Sequence, residues 1–324
     1  MSWHKNVCNS TIRDQSILMN NLDLSIIIVS FNTKDLLRET ISSIYKTANK
    51  LSYEIIVVDN ASSDGSTEMI ETEFKEVTVI KNSQNTGFAK ANNQGIKVST
   101  GRYLLLLNSD TILKEGSVEK LAKFMDEHPQ AAAVGPKVLN FDGSLQSKGF
   151  CFPSVLFTAI ILLNIPKFIS DKKLLRWFPQ YYWEEDDVRQ IDWISGCCMF
   201  LKREAVENIG GLSGDFFMYH EDEEWCYRAR RKGYEIWYLP TAEIIHHNMS
   251  SPLSNRSEVG LRSSEIFFKK TIGRIRSSTI ALMYCLSFTI KLIRLLIIPR
   301  GINEYQDTIE RLKNGLKVLK YLVK

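Results

Sequence analysis

The loop after the first apolar run of this chain, Phe31-Asn32-Thr33-Lys34, contains no glycine. A G-x-G-x-x-G dinucleotide fingerprint and a G-x-x-x-x-G-K-[ST] phosphate loop both need glycine there so that the backbone can approach phosphate. Their absence disfavours a Rossmann dehydrogenase and a P-loop kinase. The cysteines, Cys8, Cys151, Cys197, Cys198, Cys226 and Cys285, include no C-x-x-C pair. Their spacing suits neither a zinc site nor a disulfide framework, which points to a reducing compartment. Residues 1–20 carry scattered charge and no apolar run of signal-peptide length, so a cytoplasmic protein is expected. Long apolar spans are missing as well. The 18 uncharged residues from Gly149 to Pro166 are interrupted by Pro153. The prolines hold any helix to about a dozen residues, too short for a hydrocarbon core of about 30 Å, so a core or surface-lying helix is expected there. No internal repeat is visible.

What is present is ordinary globular material: 324 residues, 44% hydrophobic and 24% charged. That excludes wholesale disorder and leaves room for one large α/β domain with an appendage, or for two medium domains. The formal net charge of +4 conceals an asymmetry. Residues 1–250 hold 27 Lys+Arg against 32 Asp+Glu, net −5, and residues 251–324 hold 14 against 5, net +9. Within that tail, 14 uncharged residues from Ser277 to Ile290 precede Lys291 and Arg294, which share one narrow helical stripe with Ser287. This pattern predicts a helix lying in a bilayer interface, with Arg274, Arg276 and Arg300 near anionic headgroups. Packing on the rest of the chain or on a partner subunit is the alternative. Nucleic acid is not the expected partner, because the basic residues alternate with aliphatic side chains rather than with stacking aromatics.

From Leu24 the chain alternates short apolar runs with helical patterns, which predicts βαβ units and a mainly parallel sheet. Strands are expected at Leu24–Ser30, Glu54–Asp59, Val77–Lys81 and Tyr103–Leu107. Helices are expected at Lys34–Thr47, after Gly65, and at Phe88–Val98. A helix at about Val118–His128 follows, and then the pattern becomes irregular. Strands at Met199–Lys202 and Glu235–Leu239 bracket a helix at about Glu221–Lys232.

Four groups of residues stand where such a fold puts its chemistry. In open α/β sheets the ligand crevice lies beyond the carboxyl ends of the strands. Asp59 ends one strand there and could accept from the imide N–H of a uracil or thymine, or could only cap the next turn. Asn108-Ser109-Asp110 ends the most apolar strand, where oxygen-bearing side chains one residue apart can serve a divalent cation and a ribose. Glu221-Asp222-Glu223-Glu224 opens a helix behind Phe216 and Phe217. The helix dipole favours acids in that first turn, but four exceed what capping requires, and helical geometry turns only one or two toward a crevice. His246-His247 follows a strand, and such a pair is more often structural than metal-ligating.

Taken in order, SIIIVSFN (25–32), VVDNASSDGS (57–66), NTGFAKANNQG (85–95), LLLLNSD (104–110), WISGCCMFLKREA (193–205), GG…FFMYHEDEEWCYRARRKGY (210–234) and P-x-x-x-x-x-H (240–246) resemble the inverting family 2 glycosyltransferases of the GT-A fold. The likeness is closest to the bacterial rhamnosyltransferase-like branch and spans about residues 24–250. It implies a GT-A domain at 23–253, an N-terminal extension at 1–22 and a basic helical region at 254–324. It implies that Phe31, Asn32 and Asp59 hold the nucleobase and ribose of a nucleotide-sugar donor, with Asn85, Gly87 and Asn93 lining the same pocket. Asn108 and Asp110 match the D-x-D element, with Asp110 binding Mn²⁺ or Mg²⁺ and Asn108, in place of the first Asp, reaching ribose without adding charge. His246 would be the second metal ligand, with His247 as competitor. Asp222 matches the proposed catalytic base, and Trp193 and Glu221 would face the acceptor.

The branch implies L-rhamnose transfer from dTDP-L-rhamnose to a saccharide or polyprenyl-diphosphate-linked acceptor in cell-surface polysaccharide synthesis. The protein would then sit peripherally at the inner face of the cell membrane. Two other readings compete with it. A sugar-nucleotide pyrophosphorylase would carry a Gly-rich, Arg- and Lys-containing signature after the first strand, which is missing here. A non-catalytic assembly subunit would have no need to retain Asp110, Asp222 and His246.

Overall fold

Strand β1 (Leu24–Ser30) is apolar on both faces, and only its sixth residue is less than fully buried. Such a run belongs in the middle of a parallel sheet covered by helices on both sides. It pairs in parallel with β2 (Tyr53–Asp59) and β4 (Tyr103–Asn108), and β2 pairs in parallel with β3 (Thr78–Lys81). The crossovers are α1 (Lys34–Thr47), α2 (Ser66–Glu73) and α3 (Phe88–Val98). This is the computed structural model of the chain, and it describes residues 22–146, 151–162, 186–247 and 256–297 together with 309, 312, 313, 316 and 317. The expected N-terminal extension, apart from residue 22, lies outside the described residues, as do residues 149, 150 and 163–166 of the uncharged segment and most of the chain after 297.

The sheet continues past β4 in mixed sense, with the order β3-β2-β1-β4-β8-β6-β9-β5. Strand β8 (Cys198–Lys202) runs antiparallel to both β4 and β6 (Ala131–Leu139). Strand β9 (Glu235–His246) lies parallel to β6 and takes β5 (Thr111–Leu113) and β7 (Arg189–Gln190) as antiparallel partners. Several features here differ from the sequence expectation, among them the short strands β5 and β7, which it did not include. β6 occupies the stretch read as irregular, because Ala131-Ala132-Ala133-Val134-Gly135-Pro136 has weak strand propensity. Gly135 is required by packing: a Cβ there would stand 2.7 Å from Ile194 Cγ2. β9 does not stop at Leu239. The pairing steps from Pro136↔Leu239 to Lys137↔Glu243, so a bulge passes over Pro240 and lets the strand resume. The short helix α6 (Arg203–Ile209), also unforeseen, follows β8 directly.

Helices cover both faces. Ile26, Ile28, Leu105 and Leu107 pack with α1, α2 and α4 (Ser117–Glu127), while Ile27, Leu104 and Leu106 face α3, α6 and α7 (Glu221–Arg231). Helix α5 (Val155–Leu162) is the expected helix in the uncharged segment and packs against α9 (Arg274–Ile297). Helix α8 (Arg256–Thr271) lies on α7, with Phe267 buried between them. Among the described residues no helix is long and apolar enough to cross a membrane.

Candidate active site

The parallel register places Ser30 beside Asp59 and Val29 beside Asn108, so the loops after β1, β2 and β4 emerge side by side. Asn32 takes a left-handed conformation at φ 54°, which Asn tolerates better than most residues. Its amide oxygen accepts from the Ser63 N–H at 2.8 Å, and its own N–H donates to Ser62 Oγ at 2.9 Å. Those bonds lace the first loop to the second. Asp59 is 3% exposed; Oδ2 accepts from the Ser62 N–H at 2.9 Å, and Oδ1 is buried with no hydrogen-bond partner. A buried lone pair without a donor is costly, and a ligand N–H would satisfy it.

Asn108, Ser109 and Asp110 follow β4, and the Thr111↔His246 pairing of β5 with β9 brings His246 alongside them. His246 Nε2 lies 3.1 Å from Asp110 Oδ1 and 3.2 Å from Asn108 Nδ2. Its Nδ1 lies 2.6 Å from Gln146 Oε1. Gln146 Nε2 donates to Asn140 Oδ1 at 2.9 Å and to the His246 carbonyl at 2.8 Å, which fixes the amide orientation. In the neutral ring Nδ1 then carries the hydrogen, and Nε2 accepts from Asn108 Nδ2 and stands beside the Asp110 carboxylate. Among the described residues no cluster of three or more His, Cys, Asp or Glu side chains could hold a metal. A carboxylate, an imidazole and a neighbouring amide nevertheless fit a Mn²⁺ or Mg²⁺ ion that takes its other ligands from water and phosphate. His247 points elsewhere, toward Glu39 at 3.5 Å and stacked on Phe141.

The opposite wall is the start of α7. Tyr219 at φ 74° and His220 at φ 66° are consecutive left-handed residues with side chains, each costing roughly 1–2 kcal/mol. The turn they make delivers Glu221 and Asp222 into the crevice. Asp222 Oδ2 accepts from the Gly196 N–H at 2.7 Å and Oδ1 from the Glu223 N–H at 2.8 Å. Burial, followed by the Glu223 charge, pushes its carboxyl up to about 6 against the pull of those two N–H groups and His220. Glu221 is 4% exposed with Oε2 unpartnered, and burial followed by the Asp222 charge pushes its carboxyl well above the usual range. Both causes favour the protonated form of Glu221. The other two acids have separate partners: Glu223 meets His220 Nδ1 at 2.9 Å, and Glu224 accepts from Arg228 Nε at 3.0 Å with both oxygens.

These walls enclose a cavity of about 580 Å³. Phe31, Asn85, Asn108, Asp110, Trp193, Glu221, Asp222 and His246, all expected from sequence, line it. Asn32 and Asp59 are not among the lining residues: the Asn32 amide oxygen is taken by the Ser63 N–H, and Asp59 is buried at the end of β2. Two further expectations are corrected by placement. Asn93 does not line the cavity: its amide donates to the Leu212 carbonyl at 2.7 Å and accepts from the Leu212 N–H at 2.9 Å, so both ends are used to tie α3 to a loop. Gly87 does not line it either. At φ 85° it makes room for Phe217, whose carbonyl oxygen would lie 2.5 Å from a Cβ. Residues missed by sequence reading include Asn60, Ser195, Gly196, His220, and Gly260 and Ser264 of α8. Gln146 was missed as well, since nothing in the local pattern marks an amide that acts through a histidine 100 residues away.

Residues 25–222 match the family model described as Glycosyl transferase family 2. The low-salt glycan biosynthesis hexosyltransferase Agl10 of Haloferax volcanii is 26% identical over 287 residues, covering 85% of each chain. The N-acetylglucosaminyl-diphospho-decaprenol L-rhamnosyltransferase of Mycobacterium tuberculosis is 24% identical over 241 residues, 70% of this chain and 77% of its own. Among solved structures, the mannosyltransferase PcManGT from Pyrobaculum calidifontis, in complex with GDP-Man and Mn²⁺, superposes with a TM-score of 0.54 at 15% identity. That match covers 94% of this chain and 87% of that one. S. aureus TarS 1-349 in complex with UDP-GlcNAc gives 0.51 at 15% identity, over 92% and 82% of the two chains. The shared architecture is the GT-A fold expected from the sequence.

Proposed function

Because the chain belongs to glycosyl transferase family 2, we propose that it moves a sugar, with inversion, from a nucleotide donor to a lipid-linked saccharide in cell-surface glycan synthesis. L-Rhamnose from dTDP-L-rhamnose is the proposed donor chemistry, in line with the mycobacterial relative and with the open acceptor at Asp59 Oδ1 for a pyrimidine imide. The observation that carries the reading is one cavity with a carboxyl held near neutrality, Asp222, on one wall and the Asp110–His246 pair on another.

In the proposed reaction the acceptor oxygen forms its bond to the anomeric carbon while the bond from that carbon to the donor phosphate breaks, its electron pair leaving on the nucleoside diphosphate. Asp222 takes the acceptor proton on a carboxylate oxygen. A positioned base of this kind contributes about 10²- to 10⁴-fold. Glu221, neutral, has a proton to donate to a sugar hydroxyl, and Trp193 supplies an apolar face beside it. Asp110 and His246, with Asn108 adjacent, would hold a divalent cation. Such a cation, when bound, neutralises charge on the departing diphosphate. Phe31, Asn85 and Asp59 bind and orient the nucleoside, and holding the two substrates in line supplies much of the remaining acceleration.

The catalytic unit in this reading is residues 23–253, and 254–324 is the basic region beside it. Ile275, Leu282 and Leu286 of α9 are 85, 58 and 61% exposed and lie on one helical face. Lys291 and Arg294 follow them in sequence. That apolar face with basic flanks supports peripheral contact with an anionic membrane on the cytoplasmic side, where a lipid-linked acceptor would be met. Leu282→Glu with Leu286→Glu should move the protein out of the membrane fraction, and an unchanged distribution would remove that part of the proposal.

The decisive experiment pairs binding with turnover. Thermal-shift titration with UDP-, dTDP- and GDP-sugars and Mn²⁺ or Mg²⁺ should give the largest stabilisation with dTDP-L-rhamnose. A larger shift with another donor replaces the rhamnose assignment. Failure of every nucleotide sugar to bind would overturn the donor site itself.

A further inference from the structure

Helix α8 belongs to the region set apart by its positive charge, yet Gly260 and Ser264 reach the rim of the cavity. Its contact with α7 is made through His220. That ring stacks on Phe267 with centroids 5.3 Å apart and planes 23° apart. Nε2 lies 2.9 Å from Ser264 Oγ, and Nδ1 lies 2.9 Å from Glu223 Oε2. Ser263 Oγ adds a bond to the Met218 carbonyl at 2.7 Å, just before the left-handed turn.

The partners decide the state of the ring. Ser264 spends its hydroxyl hydrogen on the Gly260 carbonyl at 2.9 Å, so its oxygen accepts from Nε2–H. An ionised Glu223 can only accept, so Nδ1 must carry hydrogen too. A ring donating from both nitrogens is an imidazolium. The charged groups around it are Glu223 and Asp222 of α7; from α8 it meets Ser264 and Phe267, neither of which titrates near neutrality. Burial opposes the charged ring, but the bond to Glu223 and the charges of Glu223 and Asp222 outweigh it and raise the ring's proton affinity.

We propose that His220 is a positioning residue for the transfer reaction: clamped by Ser264 and Phe267 of α8, it neutralises Glu223 and so keeps Asp222 ionised and aimed across the cavity. The C-terminal helix is then a working wall of the active site and not an appendage to it. The inference rests on Asp222 acting as the base. Without the cation, Glu223 stands uncompensated beside Asp222, and the base becomes harder to ionise.

The test uses the full chain with its donor and acceptor. His220→Asn keeps a residue that tolerates the left-handed backbone and removes the charge. The acid limb of its kcat profile should move up by about half to one pH unit, with donor KM unchanged. Activity should then fall several-fold at pH 6 and little at pH 8.5. Ser264→Ala, which leaves the turn intact, should shift the limb the same way by a smaller amount and serves if His220→Asn does not fold. Ring ¹⁵N resonances of His220, assigned by their loss in that variant, should report two protonated nitrogens at pH 7. An unshifted acid limb in the folded variants, with activity lost equally at every pH, would reduce His220 to a structural contact and overturn the proposal. Asp222→Asn separates the two claims: if that variant keeps turnover and the acid limb, the base assignment fails, whereas an inactive Asp222→Asn beside an unshifted His220→Asn sinks only the role of His220.

Discussion

The two halves of the sheet build their parts of the cavity by different means. On the parallel side, β3-β2-β1-β4, strand ends in register deliver Phe31, Asp59 and Asn108 together, and loop-to-loop hydrogen bonds such as Asn32 to Ser63 hold them. On the mixed side, β8-β6-β9-β5, the residues of interest sit at one strained helix start and one strand terminus, each held by a partner distant in sequence: Ser264 for His220, Gln146 for His246. The wall proposed to hold the nucleotide is thus a property of local sequence pattern, and the wall proposed to carry the reaction is a property of tertiary contact. Errors in the first should weaken binding, and errors in the second should weaken turnover.

The largest effect that can break this division is at Asp222. Asp222→Asn should lower kcat by about 10²- to 10⁴-fold while donor affinity in a thermal-shift or calorimetric titration stays within error. Loss of donor binding in that variant would mean the halves are not separable. The wild-type pH profile sharpens the same point: with the carboxyl pushed up to about 6, the basic form accumulates above that pH, so kcat should rise through an apparent pKa near 6 and level off. A limb near pH 4 would remove the burial argument.

The next effect crosses the halves. Gln146→Leu takes the acceptor from His246 Nδ1 and frees the ring to present the wrong tautomer to Asp110. Mn²⁺ affinity, followed by electron paramagnetic resonance of the free ion, should fall about 10- to 100-fold with the fold intact by circular dichroism. Unchanged affinity would place the cation away from His246.

Smaller effects test packing on the nucleotide side. Gly87→Ala puts a Cβ at φ 85° and ψ 170°, a region essentially reserved for glycine, and against the Phe217 carbonyl; the cost should be at least about 1–3 kcal/mol in denaturant unfolding. The smallest change is expected at Asn93→Ala. Losing both bonds to Leu212 should cost about 1–2 kcal/mol of stability with donor affinity unaltered, and a loss of donor affinity would return Asn93 to the pocket from which its contacts exclude it.

Strands β1, β2 and β4 were legible because a buried parallel strand is apolar on both faces, and LSIIIVS, EIIVVD and YLLLL announce themselves; β3, at the sheet edge with Thr78 and Lys81 exposed, was read from its place in the alternation. β6 was not, because its alanines, Gly135 and Pro136 have weak strand propensity, and Gly135 answers to Ile194 packed against it rather than to any local pattern. The same division holds for side chains. Asp59 and Asp110 were readable from their positions at element ends, whereas Asp222 among its four neighbouring acids, and His246, were singled out only by resemblance. Gln146, Ser264 and the charge state of His220 depend on partners 100, 44 and 3 residues away, and no local periodicity encodes the first two.

The bulge at Pro240 has one further consequence. Along a strand, even and odd positions look to opposite sides, so the identity of the histidine beside Asp110 is a matter of parity. As built, the even residue of the pair meets the aspartate and the odd one is turned to Glu39 and Phe141. The number of residues passed over between Leu239 and Glu243 sets that parity. An insertion or deletion of one residue there that the bulge did not absorb would exchange the roles of two adjacent and chemically identical side chains.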